Sequence, residues 1–174
     1  IDEDDLDAVR NTRGVAEAGG QISATLQVSY AGESGFATVF GVPTDEHLEL
    51  VKESNNIEVV EGRYLRSTDR SNAVIGDSTS TAIFDRDIGL RSSLDLNGSS
   101  IRVIGIADAT GDRQVNNGII LPMDTARNFL DRGEDQYDTI VARVGEGFEP
   151  EEVEEDIEEN LRDERDLEEG EEDF

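Results

Sequence analysis

The 174 residues contain no cysteine, one histidine and one lysine, and no apolar run long enough to cross a bilayer. Without cysteine there are no disulfides, no thiolate catalysis, no iron–sulfur ligation and no zinc finger, and the compartment leaves no redox mark. Any Ser-His-Asp constellation or histidine metal site has to pass through His47 alone. Flanked by Glu46 and Leu48 on a partly exposed segment, His47 reads as a surface histidine. The longest apolar stretch, Gly118 to Met123, falls far short of the roughly 20 residues of a membrane helix, and no basic-then-apolar leader precedes it. The chain as given reads as soluble. Its start at Ile1 and acidic finish at Phe174 read as a stretch cut from a longer protein. No phosphate loop is present either. The glycine-lysine-Ser/Thr ending is missing, and Gly145-Glu146-Gly147 is followed by no third glycine at the required place, so ATP binding is not expected.

Negative charge is in excess. Against 42 Asp and Glu stand 15 Lys and Arg, a formal net charge of −27 and a pI near 4.1. Such a surface repels phosphate, which argues against nucleic acid and anionic lipid as partners. Sixteen of the acids lie between Glu149 and Phe174, opposed only by Arg162 and Arg165, yet the other 148 residues still hold 26 acids against 13 bases. The excess therefore reads as a property of the whole surface. Lys52 is the only lysine. Dense carboxylates with arginine in place of lysine resemble proteins of salt-in halophiles, where concentrated salt screens the self-repulsion. An acidic interaction domain from an ordinary organism is the competing reading.

With 42 acids, close carboxylate pairs arise by chance and carry no acid–base signal. Asp108, Asp112, Asn116 and Asn117 offer oxygen ligands on one polar loop, but without the spacing or closing glutamate of an EF-hand. Whether the loop from Asp108 to Asn117 binds cations is left open. Asn97-Gly98-Ser99 matches a glycosylation triplet, though a tight turn explains those residues sufficiently. No catalytic, cofactor-binding or metal-ligating residue is assigned, no cofactor is expected, and the chain is not read as an enzyme.

Periodicity predicts the order of elements. Asp4 to Arg10 reads as a short helix. Val15 to Tyr30 and Phe36 to Val42 read as a hairpin about a turn at Gly32-Glu33-Ser34-Gly35. A helix over Thr44 to Val51 is expected behind a Thr44 cap, then a turn and an extended piece at Glu61 to Leu65. Ala73 to Gly76 reads as a buried strand and Ser78 to Phe84 as a short helix. Leu94 to Gly105 reads as a hairpin around Asn97-Gly98, and Ile119 to Leu121 as another buried strand. Pro122 suits a first helical turn ahead of the stripe Met123, Ala126, Phe129 and Leu130. Thr139 to Val144 is a further strand, and Pro150 opens a last helix carrying Val153, Ile157 and Leu161. Hairpins beside helix-to-strand returns favour an α+β architecture over a doubly wound parallel sheet.

The order of these pieces resembles the extracytoplasmic core domain of MacB-type ABC transporter permeases, a group that includes LolC, LolE and relatives of FtsX. Asp5 to Ala18 is similar to the family's opening helix and its glycine-valine step into the first strand, and Phe40-Gly41-Val42-Pro43 to a strand end. Val60-Glu61-Gly62-Arg63-Tyr64-Leu65, which resembles an "L-x-x-G-R-x-L" segment, is the most specific match. Asn72 to Gly76, Ala82-Ile83-Phe84, Ile88-Gly89, Leu94 to Gly98, Val103 to Ile106, Ile119 to Ala126 and the closing helix from Val153 to Leu161 continue the likeness in register.

The resemblance implies a domain held outside the cytoplasm between membrane helices that are not in this chain. It implies a porter-like α+β part built from residues 1–55 and 122–174, with a mostly β part, residues 56–121, inserted in the middle. The implied role is non-enzymatic: transmission of conformational change driven by a separate cytoplasmic ATPase subunit, with possible contact to a cargo that the sequence does not identify. A second permease copy is the other implied partner. The alternative is a secreted or surface-attached binding module with no role in transport.

Overall fold

The computed structural model describes residues 1–109, 113–165 and 167. The first helix, α1 (Glu3–Asn11), opens with a reciprocal cap: Asp5 N donates to Asp2 Oδ1 at 3.1 Å, and Asp2 N donates to Asp5 Oδ2 at 2.9 Å. Strand β1 (Val15–Tyr30) follows and serves two neighbours with its two halves. Its second half pairs with β2 (Glu33–Val42) across a two-residue turn, Ala31-Gly32, in which both residues take positive φ, 53° and 90°. The turn is thus shorter than the sequence suggests, and Glu33, Ser34 and Gly35 already belong to β2.

Helix α2 (Leu48–Ser54) starts later than expected. Thr44 does not cap it, because Asp45 Oδ1 accepts a hydrogen bond from His47 N at 2.9 Å and holds the intervening residues in a turn. Strand β3 (Ile57–Gly62), where the sequence suggested only a turn and an extended piece, carries a bulge at Val60. Then come β4 (Asn72–Gly76), α3 (Asp77–Ala82), and the hairpin of β5 (Ser93–Leu96) and β6 (Ser99–Ala109) about Asn97-Gly98. A short helix α4 (Arg113–Asn116) leads into β7 (Gly118–Pro122), α5 (Met123–Leu130), β8 (Thr139–Val144) and α6 (Pro150–Glu164). Pro122 ends a strand and flanks α5; it does not sit inside the first helical turn.

Six strands close on themselves. β2 pairs with β7, β7 with β4, β4 with β6, β6 with β5, β5 with β1, and β1 returns to β2. Side chains fill the ring. Alternate residues of each strand point inward and form one buried cluster that includes Ile22, Val39, Ile75, Leu96, Val103 and Leu121, each at 0–2% exposure. At about 1.5–3 kcal/mol per buried large aliphatic side chain, this layer is the main stabilising element. Gly41 lets Ala126 of α5 close over Ile22 at one end of β2, while Gly35 leaves room for Ile83 at the other.

A second cluster, including Val51, Ile57, Tyr64, Val74 and Ile120, covers the outer face of the central strands. The first half of β1 leaves the ring and pairs with β8, and α1 and α6 pack there through Leu6, Val9, Ala18 and Leu161. Strands and helices do not alternate in parallel units, and the architecture is α+β.

Candidate functional site

Helix α1 meets the end of α6 and the start of β8. Backbone contacts begin the junction: Tyr137 N donates to Ile1 O at 2.9 Å, and Asp2 bridges Gln136. Tyr137 OH donates to Glu3 Oε2 at 2.7 Å, and burial, reinforced by that carboxylate, pushes the phenol up to about 12. On α1, Asp5 is buried and its carboxylate is gripped by Arg165, just past α6, in a two-pronged pair: Nε to Oδ1 and Nη2 to Oδ2, both at 2.7 Å. The guanidinium holds the Asp5 carboxyl below the usual carboxylate range despite the opposing cost of burial. About two turns on, the buried Thr12 donates to Ala8 O at 2.9 Å and accepts from Asn160 Nδ2 at 2.8 Å. Val153 and Leu161 of α6 are buried in the same seam, with Ile157 half-buried.

Local sequence explains why these elements fit together. Gly14 has φ of +90°, and an added Cβ there would fall 2.6 Å from Val153 Cγ2, so the step from α1 to β1 has to be glycine for α6 to lie down.

Beside this junction opens a cleft of about 850 Å³. Its floor is the bare backbone of Gly19 and Gly20, and its walls include Tyr137, His47, Met123, Arg10 and Arg127. The Tyr137 ring lies so close over Gly20 that any side chain at 20 would displace it. His47, at the start of α2, is half-buried, with Nδ1 3.4 Å from Glu17 Oε1. The arginines around the cleft are already engaged. Arg10 pairs with Glu3 and Asp7, Arg132 pairs with Asp138, and Arg127 lies over the Tyr137 ring at 5.2 Å while donating to the carbonyls of Gly133 and Gln136. These pairs make the cleft a charge-balanced polar recess.

His47 is on the cleft wall, Asp108 is exposed on β6, Asn116 ends α4, and Asn117 follows it; Asp112 lies outside the described residues. Among the described residues no group of three or more His, Asp or Glu side chains is placed to hold a metal. Asn97 and Gly98 take φ of 50° and 83°, as their turn requires. Sequence reasoning missed the Asp5–Arg165 pair and the Tyr137–Glu3 bond, since partners 160 and 134 residues apart leave no local signal.

A family model described as MacB-like periplasmic core domain matches residues 1–160. The chain is 29% identical over 158 residues, 91% of its length, to an uncharacterized ABC transporter permease of Methanocaldococcus jannaschii, and spans only 39% of that relative. Its fold is similar to the periplasmic region of MacB from Actinobacillus actinomycetemcomitans, with a TM-score of 0.76 at 17% identity, covering 96% of this chain and 75% of that one. It is also similar to the extracellular domain of the noncanonic ABC-type transporter YknZ from Gram-positive bacteria, with a TM-score of 0.74 at 14% identity, covering 97% and 86%. At such identities the solved structures speak for the fold alone. No helix among the described residues is long and apolar enough to cross a membrane.

Proposed function

The chain belongs to the MacB-like periplasmic core domain family, and from that premise we propose that it is the extracytoplasmic domain of an ABC transporter permease. It acts without catalysis of its own. Membrane spans outside this chain carry the movement driven by a cytoplasmic ATPase subunit, and the domain passes that movement on and contacts cargo. A second permease copy completes the assembly.

The observation that carries this reading is the junction of α1 with α6. A soluble insert with spans on both sides receives force at its termini, and here the first helix is tied to the last by Asp5–Arg165 and Thr12–Asn160. Displacing one span against the other then rotates the domain as a body. A division into one part from residues 1–55 and 122–174 and an inserted part from residues 56–121 is proposed with it: α1, α6 and β8 gather at the junction, while β1 and β2 run on into the ring they share with the middle of the chain. The charge of −27 with one lysine supports a halophilic source.

The test is coupling in the full-length permease reconstituted with its ATPase. Arg165→Ala is expected to leave basal ATP hydrolysis intact and to reduce transport per ATP hydrolysed. Unchanged coupling in a variant that circular dichroism shows to be folded would overturn the role given to the junction.

A further inference from the structure

The acidity is not evenly spread. Residues 63–107 hold six arginines against five aspartates, a net charge of +1, so the other residues carry −28. Part of this segment is buried strand, and its exposed positions carry arginine and aspartate in near balance. Three of those six arginines, Arg63, Arg91 and Arg102, line one groove of about 380 Å³, with Asn72 and the exposed Leu90 beside them and no Asp or Glu in its lining.

The elements hold these side chains in place. Arg63 leaves the end of β3, and its guanidinium is fixed by Asp69 at 2.6 and 2.8 Å. Asp69 is itself buried and also accepts from Arg66 N and Asn72 Nδ2. Arg102 stands exposed on β6 opposite Asn72 of β4. Arg91 takes a positive φ of 68°, a conformation costly for a long side chain, with its backbone N–H bonded to Val103 O at 2.8 Å. Among the described residues neither Arg91 nor Arg102 has a carboxylate within salt-bridge distance, in a chain with nearly three acids per base. The arginines of the larger cleft, by contrast, are all engaged.

Apolar surface adjoins the groove. Leu90, in its lining, is 39% exposed and packs against the space at Gly62. A free phosphate or sulfate uses the guanidinium groups but leaves Leu90 in water. A polypeptide with carboxylates and aliphatic side chains satisfies both.

We propose that the Arg63–Arg91–Arg102 groove, with Leu90 at its edge, is a docking surface for an acidic, aliphatic-bearing segment of a partner protein. Charge complementarity selects the partner, since Arg91 and Arg102 line the groove with no Asp or Glu beside them in its lining. The proposal does not depend on the coupling role of the α1–α6 junction.

The probe is a fluorescent ten-residue peptide of alternating Glu and Leu, titrated by anisotropy into the chain at a salt concentration where circular dichroism shows it folded. The unaltered chain is expected to bind, Arg91→Glu/Arg102→Glu to bind about ten-fold more weakly, and the charge-matched Arg86→Glu/Arg113→Glu to bind as the unaltered chain does. Both pairs are exposed, so neither is expected to disturb folding. Equal loss in both double variants would reduce the effect to net charge and overturn the proposal, as would no binding at all. Equal affinity for a Glu-Ser peptide, or displacement of the Glu-Leu peptide by millimolar sulfate, would assign the groove to a simple anion and overturn it too. Binding to phosphatidylglycerol vesicles in place of the peptide, lost in Arg91→Glu/Arg102→Glu, would assign it to a membrane surface with the same consequence.

Discussion

Replacing Asp69 by asparagine removes the charge at the centre of the loop that positions Arg63 while keeping its shape. The carboxylate is 5% exposed and accepts four hydrogen bonds at 2.6–2.8 Å: two from Arg63, one from Arg66 N and one from Asn72. Chiefly through the Arg63 bonds, its pKa is lowered from 3.8 to about 2. A depressed carboxyl pKa contributes stability that is fully present above the unfolded value and is lost as pH falls through the folded one. The window is therefore pH 4 down to pH 2. At about 1.4 kcal/mol per pH unit the contribution is about 2 kcal/mol at neutral pH.

Urea unfolding of the unaltered chain and Asp69→Asn, at matched molar salt from pH 7 to pH 2, isolates this term, because the other carboxyls titrate alike in both. The variant is expected to be less stable by about 2 kcal/mol at pH 7, with the gap closing between pH 4 and pH 2. A gap near zero at pH 7, or one that persists unchanged at pH 2, would refute the assignment of Asp69 as the charged centre of this loop.

Three further outcomes are expected. Val153→Asp and Leu161→Asp each destabilise by about 3 kcal/mol in thermal unfolding, and Ile157→Asp by less, because the first two are buried and the third half-exposed; equal and negligible effects would show that α6 does not pack. Gly20→Ala lowers Tm because its methyl meets the Tyr137 ring, and Tyr137→Ala in the same chain recovers part of the loss; no shift in the single variant would contradict the tight floor of the cleft. With a net charge of −27 and a single lysine, urea midpoints rise on going from dilute buffer to molar KCl; equal midpoints would remove the case for salt adaptation.

Much of the local structure was legible in the sequence, for physical reasons that also mark where legibility stops. Asn97-Gly98 announces its hairpin because few residues accept two successive left-handed positions, and the α6 stripe shows at Val153, Ile157 and Leu161 because one narrow face does all the packing. Strand β3 was hidden by Glu58 and Glu61, which an edge strand tolerates facing solvent. The family resemblance rested on the order of such pieces, and the match over residues 1–160 agrees with it.

Closure of the six-stranded ring was not legible. Alternation shows which side of each strand is apolar but not which strand lies beside it, and β2 finds β7 about 80 residues on. The junction was opaque for the same reason. Asp5 reads as an ordinary acid of a first helical turn, and only the fold delivers Arg165 to it. Charge read as a total over the whole surface likewise concealed residues 63–107, because separate arginines become one groove only when β3, β4 and β6 lie side by side.

The proposed permease role rests above all on which side of a membrane this domain faces. The chain has no cysteine, so Ser100→Cys, on the exposed hairpin, places a single reporter within it. In intact cells making the full-length protein with any other cysteines removed, a membrane-impermeant maleimide is expected to label Cys at position 100 without lysis. Labelling only after the membrane is broken would put the domain in the cytoplasm and contradict the proposal.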